Sequence, residues 1–154
     1  MTTRIDFYHL LHLPLDKALP KLLEKALSAG LRAVVMAGSR ERVAHLDDLL
    51  WTYDPASFLP HGTRRLGSAE RQPVWLTEED ENPNGATVLI MIDNAVSARM
   101  DQFDRCLLLF DGRDPEALQA ARQRWSEWKA AGYLLVYNQQ TESGGWTEKA
   151  RTGE

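Results

Sequence analysis

The chain has 154 residues, 44% of them hydrophobic and 26% charged, and 18 Lys and Arg against 22 Asp and Glu leave a net charge of −4. Those proportions describe one soluble globular domain long enough to build a core without metal or disulfide staples, and they argue against a broad cationic surface for nucleic-acid backbone. No apolar run approaches the ~20 residues of a membrane span, the opening MTTRIDFYHL lacks the layout of a secretion signal, and the single Cys106 within RCLLLF reads as a buried small hydrophobe of a cytoplasmic protein.

Residues 5–10 form a short apolar run, and after the Pro14 break Leu19, Leu22, Leu23, Ala26 and Leu27 recur at helical spacing over 16–29. This predicts a strand and then an amphipathic helix, with Asp16 as its cap and Gly30 as the left-handed residue that ends it. The run LRAVVMA at 31–37 is continuously apolar around one arginine and β-branched in its middle, as in a strand covered on both faces. Ser39 then opens a second helix whose buried stripe is Val43, Leu46, Leu49 and Leu50, with Pro55 beyond its end. From 54 to 84 the pattern weakens into loops rich in Pro, Gly and charge, and 73–76 (PVWL) is expected to be an edge strand at most. Two buried-strand runs follow at 87–92 and 105–110, then a helix over 114–131 and a last strand at 133–137. Alternation of strands and helices predicts an α/β three-layer sandwich with a mainly parallel central sheet. A single domain is expected over 1–138, and 139–154 is expected to be a polar, mobile C-terminal tail.

Turns after the first two strands are the natural place to seek a nucleotide in such a fold. The first, at 9–14, contains no glycine, and neither G-x-x-x-x-G-K-[ST] nor G-x-G-x-x-G occurs anywhere. The second offers one glycine, Gly38-Ser39, before a helix start; it could hold an anion, and it is also how ordinary βα turns are built. His9 and His12 have no third ligand at a recognised spacing, and the acidic stretch 78–81 lacks the glycine and spaced oxygens of a calcium loop, so it reads as a solvated loop. No serine sits in a G-x-S-x-G elbow and a thiolate is disfavoured at Cys106. Catalytic residues, metal and cofactor are therefore not expected.

Aromatic and basic residues on the last helix stand out instead. Leu118, Ala121, Trp125 and Trp128 fall into one stripe, with Arg122 and Lys129 bordering Trp125 at i−3 and i+4. In one account both tryptophans are core and the cations only hold their heads in water. In the other, Trp125 is partly exposed and forms an apolar platform edged by cations, suited to a peptide end that brings an aromatic side chain and carboxylates. A second aromatic surface runs through Leu49, Leu50, Trp51, Tyr53, Pro55, Phe58, Leu59, Pro60 and His61, either a loop tacked inward or a protein-binding patch.

These residues, in this order of elements, resemble the chi subunit of bacterial DNA polymerase III. The likeness rests on the opening RIDFY, on VVMA, on LDDLLWTYDPASFLPHG, on PVWL, on TVLIMIDN, on the helix RQRWSEWKAAGY and on a tryptophan near the end; it runs from Arg4 to Trp146. Its most specific part is L-W-x(6)-F-x-P-H. The resemblance implies a fold similar to mononucleotide-binding α/β proteins but without a phosphate-binding loop, and a noncatalytic accessory subunit of the clamp-loader assembly. It also implies two protein partners: the psi subunit, and the acidic, phenylalanine-ended tail of single-stranded-DNA-binding protein, with DNA reached only indirectly. Carried over by position, Arg122, Trp125 and Lys129 would take the tail, and Trp51, Phe58, Pro60 and His61 would face psi. Ser126 and Leu118 depart from the family at positions where basic residues are common. The alternative reading is a small nucleotide- or phosphate-binding domain using the Gly38-Ser39 turn. Direct binding of single-stranded DNA suits the tryptophans but not the negative charge.

Overall fold

The structure is a computed structural model that describes residues 3–54, 59–65 and 67–152. In chain order its elements are β1 (Arg4–Leu10), α1 (Leu15–Ser28), β2 (Ala33–Met36), α2 (Arg40–Thr52), β3 (Gly62–Thr63), β4 (Val74–Thr77), β5 (Val88–Met91), β6 (Arg105–Asp111), α3 (Pro115–Ala130), β7 (Leu134–Gln140) and β8 (Trp146–Arg151). They build one sheet in the order β3-β4-β2-β5-β6-β1-β7-β8, parallel throughout except for the antiparallel β7–β8 pair. Every residue of β2, β4 and β5 is buried, which is why their sequences are dominated by apolar side chains instead of alternating.

The two faces of the sheet carry separate cores. On one, Tyr8, Val35, Ile90, Leu107 and Leu109 pack with Leu19 and Leu23 of α1 and Val43, Leu46 and Leu50 of α2. On the other, Phe7, Val34, Leu89 and Leu108 pack with Ala117, Ala121 and Trp128 of α3 and with Met100 and Phe103. This is the expected three-layer sandwich. After β1 the chain leaves for one face and after β6 for the other, so the crevice between the carboxyl ends of these adjacent strands is the switch point of the fold.

Local chemistry sets the helix limits. The Ser39 hydroxyl accepts the Arg42 amide at 3.1 Å, and the Asp114 carboxylate accepts the Glu116 amide at 3.0 Å ahead of Pro115. Both α1 and α3 close on the same two bonds: Gly30 and Gly132, with φ of 77° and 94°, donate to Leu27 and Lys129 at 2.9 and 3.1 Å, and the next residues donate to Ala26 and Trp128 at 3.0 and 3.2 Å.

Four expectations need correction. The cap of α1 is Pro14, which makes no side-chain bond, because its ring already presets φ at −70°; Asp16 falls in the first turn and bonds His45 Nε2 at 3.0 Å. β4 is not at the edge, since the two-residue β3 pairs outside it from a segment too short to show a period. The acidic loop is pinned as well as solvated. The Glu81 carboxylate accepts the Trp75 indole N–H at 3.0 Å and the Thr77 hydroxyl at 2.7 Å, and Asp80 accepts the Ser97 hydroxyl and the Ala98 amide. Finally, the polar stretch after 138 is structured through Arg151: β7 runs on to Gln140, and β8 pairs back along it. An exposed strand with alternating charge offers little burial signal, apart from Trp146, whose ring meets Tyr8 edge-on at 4.8 Å.

Candidate functional site

The buried line of α3 is Ala117, Ala121 and Trp128. Leu118, Arg122, Trp125 and Lys129 recur at i+4, i+3 and i+4 and so form the neighbouring row on the helix, at the border of that line. Trp125 and Leu118 are half-buried against the core, whereas Arg122 and Lys129 are exposed and make no hydrogen bond or ion pair with a described residue. The stripe read from sequence was thus too wide by about a sixth of a turn. Trp128 is core, and Trp125 is an aromatic ledge with one side open.

What holds Trp125 at that level is aromatic packing from β1 and β7. Its ring meets Phe7 edge-on at 5.2 Å and Tyr137 edge-on at 5.8 Å, while Phe7 and Tyr137 stack at 6.1 Å. Tyr137 is fixed in turn by its hydroxyl, 2.7 Å from His9 Nδ1, and His9 lies 5.1 Å from Phe110. The His9 ring fills the space where a Cβ on Gly112 would fall, 1.9 Å away, so only glycine fits at 112. Electrostatics place Arg122 in the same cluster. Burial pushes the His9 pKa down and the Arg122 charge pushes it further the same way; burial raises the Tyr137 pKa and Arg122 opposes it. Neither His9 nor Tyr137 was singled out for this site from sequence. Standing two residues along from the buried Phe7 and Leu135, they share a face of the sheet with those residues, but nothing in the sequence says which helix lies there.

The second aromatic surface is only partly open. Trp51, at the end of α2, is 53% exposed, and its ring lies 5.0 Å from that of His61. His61 is buried, with Nδ1 2.7 Å from the Leu59 carbonyl and Nε2 2.9 Å from Asp47 Oδ1, so it is the support beneath the tryptophan. Pro60 is half-buried, and Phe58 and Pro55 lie outside the described residues. The Tyr53 hydroxyl donates to Glu24 and ties the end of α2 to α1.

The switch-point crevice, of about 350 Å³, is lined by Leu10, Pro14, Arg42, Asp93, Phe110 and Arg113 among others. Its obvious anion donors are already used. The Asp93 carboxylate accepts the Gly38 amide at 3.1 Å and Arg42 Nε at 3.2 Å, sitting where a phosphate oxygen would sit at the start of α2. In the first turn the amides of Leu11, His12 and Leu13 all donate to Gln140 Oε1 at 2.8 to 3.0 Å. The Gly38-Ser39 turn is therefore an ordinary βα turn satisfied from within. Among the described residues no three His, Cys, Asp or Glu side chains are placed to hold a metal ion. Cys106 is fully buried, its thiol pKa pushed up to about 12 by that burial. No helix among the described residues is long and apolar enough to cross a membrane.

Comparison with known proteins adds two findings. A family model described as "DNA polymerase III chi subunit, HolC" matches residues 1–136. A protein of Rickettsia prowazekii (strain Madrid E) described as "Probable DNA polymerase III subunit chi" is 29% identical over 107 residues, 70% of this chain. The matched part spans 65% of that relative's length.

Proposed function

Since the chain belongs to the DNA polymerase III chi subunit family, a family of replication accessory subunits, we propose that it serves replication without chemistry of its own, by bridging two protein partners in the clamp-loader assembly. One partner is the acidic, phenylalanine-ended C-terminal tail of single-stranded-DNA-binding protein, received on the Arg122, Trp125 and Lys129 row. The other is the psi subunit, received at the Trp51 surface with Pro60 and Phe58, with His61 as the support under the tryptophan. DNA is reached through the first partner. The protein works in the cytoplasm, where replication takes place.

The observation that carries this reading is the contrast in donor use: Arg122 and Lys129 flank a half-open tryptophan and are unpaired among the described residues, while the donors of the crevice are consumed internally. A terminal carboxylate and acidic side chains can make charge-assisted hydrogen bonds to the row while the phenylalanine packs on Trp125. A micromolar complex requires about 8 kcal/mol, within reach of one aromatic anchor and two such bonds after the cost of association.

Calorimetric titration with a peptide carrying that tail and its free carboxyl group tests the reading. Arg122→Ala removes a charged hydrogen bond of roughly 1.5–3 kcal/mol and should weaken binding about tenfold or more. Trp125→Ala should do at least as much, and a peptide lacking the final phenylalanine should bind far more weakly. Parental affinity in both variants rejects the site. For the second partner, Trp51→Ala should cost about 2 kcal/mol or more in psi binding, as expected of an exposed aromatic anchor; an unchanged complex rejects that surface.

A further inference from the structure

The ledge on α3 has only one wall supplied by the helix; the chain's last strand stands across from it. In the β7–β8 ladder Tyr137 pairs with Ala150 whereas the next residue, Asn138, pairs with Glu148, so Lys149 is an inserted residue and the Lys149-Ala150 pair together opposes Tyr137. The consequences for side-chain direction can be read from the charges. Glu148 accepts both Arg151 Nη2 at 2.8 Å and Arg151 Nε at 3.0 Å; Glu148 also feels Arg4, and Arg151 feels Asp6. Residues 148 and 151 thus share the face of β1 that carries Arg4 and Asp6, although a regular strand would send them to opposite faces. The bulge accounts for it, and it leaves Lys149 and Ala150 on the other face, the one where Tyr137 stacks on Phe7 and meets Trp125.

Lys149 is exposed and makes no hydrogen bond or ion pair with a described residue, in contrast to Arg151 beside it. We infer that β8 is the outer wall of the peptide-binding ledge, and that Lys149 is the cation facing Arg122 across Tyr137 and engaging the acidic residues of the bound tail. The inference rests on the reading of the ledge as the tail site and extends it to a strand that lies beyond the residues matched by the family model. It also answers a question posed by the helix. With Leu118 and Ser126 uncharged, α3 offers this row only Arg122 and Lys129, and a strand inserted at the right register adds a third cation, on the opposite side. The occupant follows from the charge: three cations unpaired among the described residues, around half-open aromatic rings, fit an acidic chain end carrying an aromatic residue.

The test uses the full chain and a fluorescent peptide of acidic residues ending in phenylalanine with a free carboxyl group, read by anisotropy. Lys149→Glu should weaken binding about fivefold or more and flatten its salt dependence, and Lys149→Gln should show a smaller loss. Lys25→Glu, on the exposed last turn of α1, changes the net charge by the same amount and should stay within about 1.5-fold of the parent, as expected of a screened charge on a helix that covers the opposite face of the sheet from α3. A peptide with one acidic residue replaced by lysine should recover affinity for Lys149→Glu. Equal losses in the Lys149→Glu and Lys25→Glu proteins overturn the inference, as does parental binding by Lys149→Glu. If Arg122→Ala still loses affinity in the same assay, only the β8 wall falls; if Arg122→Ala also binds as the parent does, or the parent does not bind, the tail site itself is wrong.

Discussion

The crevice at the carboxyl ends of β1 and β6 and the ledge between α3 and β7 differ in what their polar groups are free to do. The crevice occupies the position where folds of this class usually hold a ligand, and it has arginines, backbone amides and volume. Yet Asp93 takes the Gly38 amide and Arg42, and Gln140 takes three successive amides of the first turn. On the ledge, Arg122 and Lys129 have no hydrogen-bond or ion-pair partner among the described residues. On the proposed reading, binding follows from unspent donors and open aromatic surface, and a crevice whose donors are spent serves as scaffold.

Gly112 lies where the two regions meet, between Asp111 and Arg113 of the crevice and under the His9 ring that supports Tyr137. It gives the largest expected effect. In Gly112→Ala the new methyl must displace that ring, and the Leu10 carbonyl at 2.9 Å blocks escape on the other side. Overpacking of this kind costs about 1–3 kcal/mol, and losing the Tyr137 hydrogen bond adds ~1 kcal/mol. Urea denaturation should show a loss of about 3 kcal/mol, with tail-peptide affinity falling in the refolded protein because Tyr137 no longer fixes Trp125. Unchanged stability would mean that the ring is not held against Gly112.

The next effect addresses the crevice. Asp93 has φ of 56°, a left-handed conformation that glycine adopts freely, so Asp93→Gly removes the carboxylate without adding strain. The variant should lose about 1 kcal/mol from the bond to the Gly38 amide, and it should gain what the parent lacks: a rise in melting temperature with millimolar phosphate, as the emptied seat takes an external anion. A parent that is itself stabilised by phosphate would erase the distinction between the two regions.

How much of this was legible in the sequence depends on whether a residue's environment is set locally. The buried strands declared themselves because coverage on both faces demands unbroken apolar runs, and Ser39 and Gly30 declared helix ends because caps act within four residues. β8 did not, since an edge strand of Thr147, Glu148, Lys149 and Arg151 is stabilised by its ladder and by one tryptophan. The Arg122, Trp125 and Lys129 row could be read from helical spacing, but its depth could not: about a sixth of a turn separates the core Trp128 from the ledge Trp125. Asp93, Gln140, Tyr137 and His9 owe their roles to partners 51 to 129 positions away, contacts that no local pattern encodes.

The smallest effect is a titration, and it tests whether Arg122 stands where the ledge requires. His9 is faced by Tyr137 from β7, by Phe110 and Asp111 from β6, and by Arg122 from α3. Its pKa is lowered from 6.5, above all by burial; the Gly112 backbone opposes that, the Arg122 charge lowers it further, and Asp111 opposes as well. A histidine with a lowered pKa binds fewer protons folded than unfolded, so its contribution to stability is complete above 6.5 and is lost as pH falls through that value toward the lowered one. Arg122→Ala removes one of the two lowering causes, so the His9 pKa measured by NMR should rise while remaining below 6.5, because burial persists. Binding of the acidic peptide should move it in the same direction, since new carboxylates next to Arg122 favour the imidazolium. The complex should therefore take up protons near the His9 midpoint and tighten slightly as pH falls toward it. A His9 midpoint indifferent both to Arg122 and to the peptide would separate the cation from the aromatic cluster, and the ledge would lose the partner that distinguishes it from the crevice.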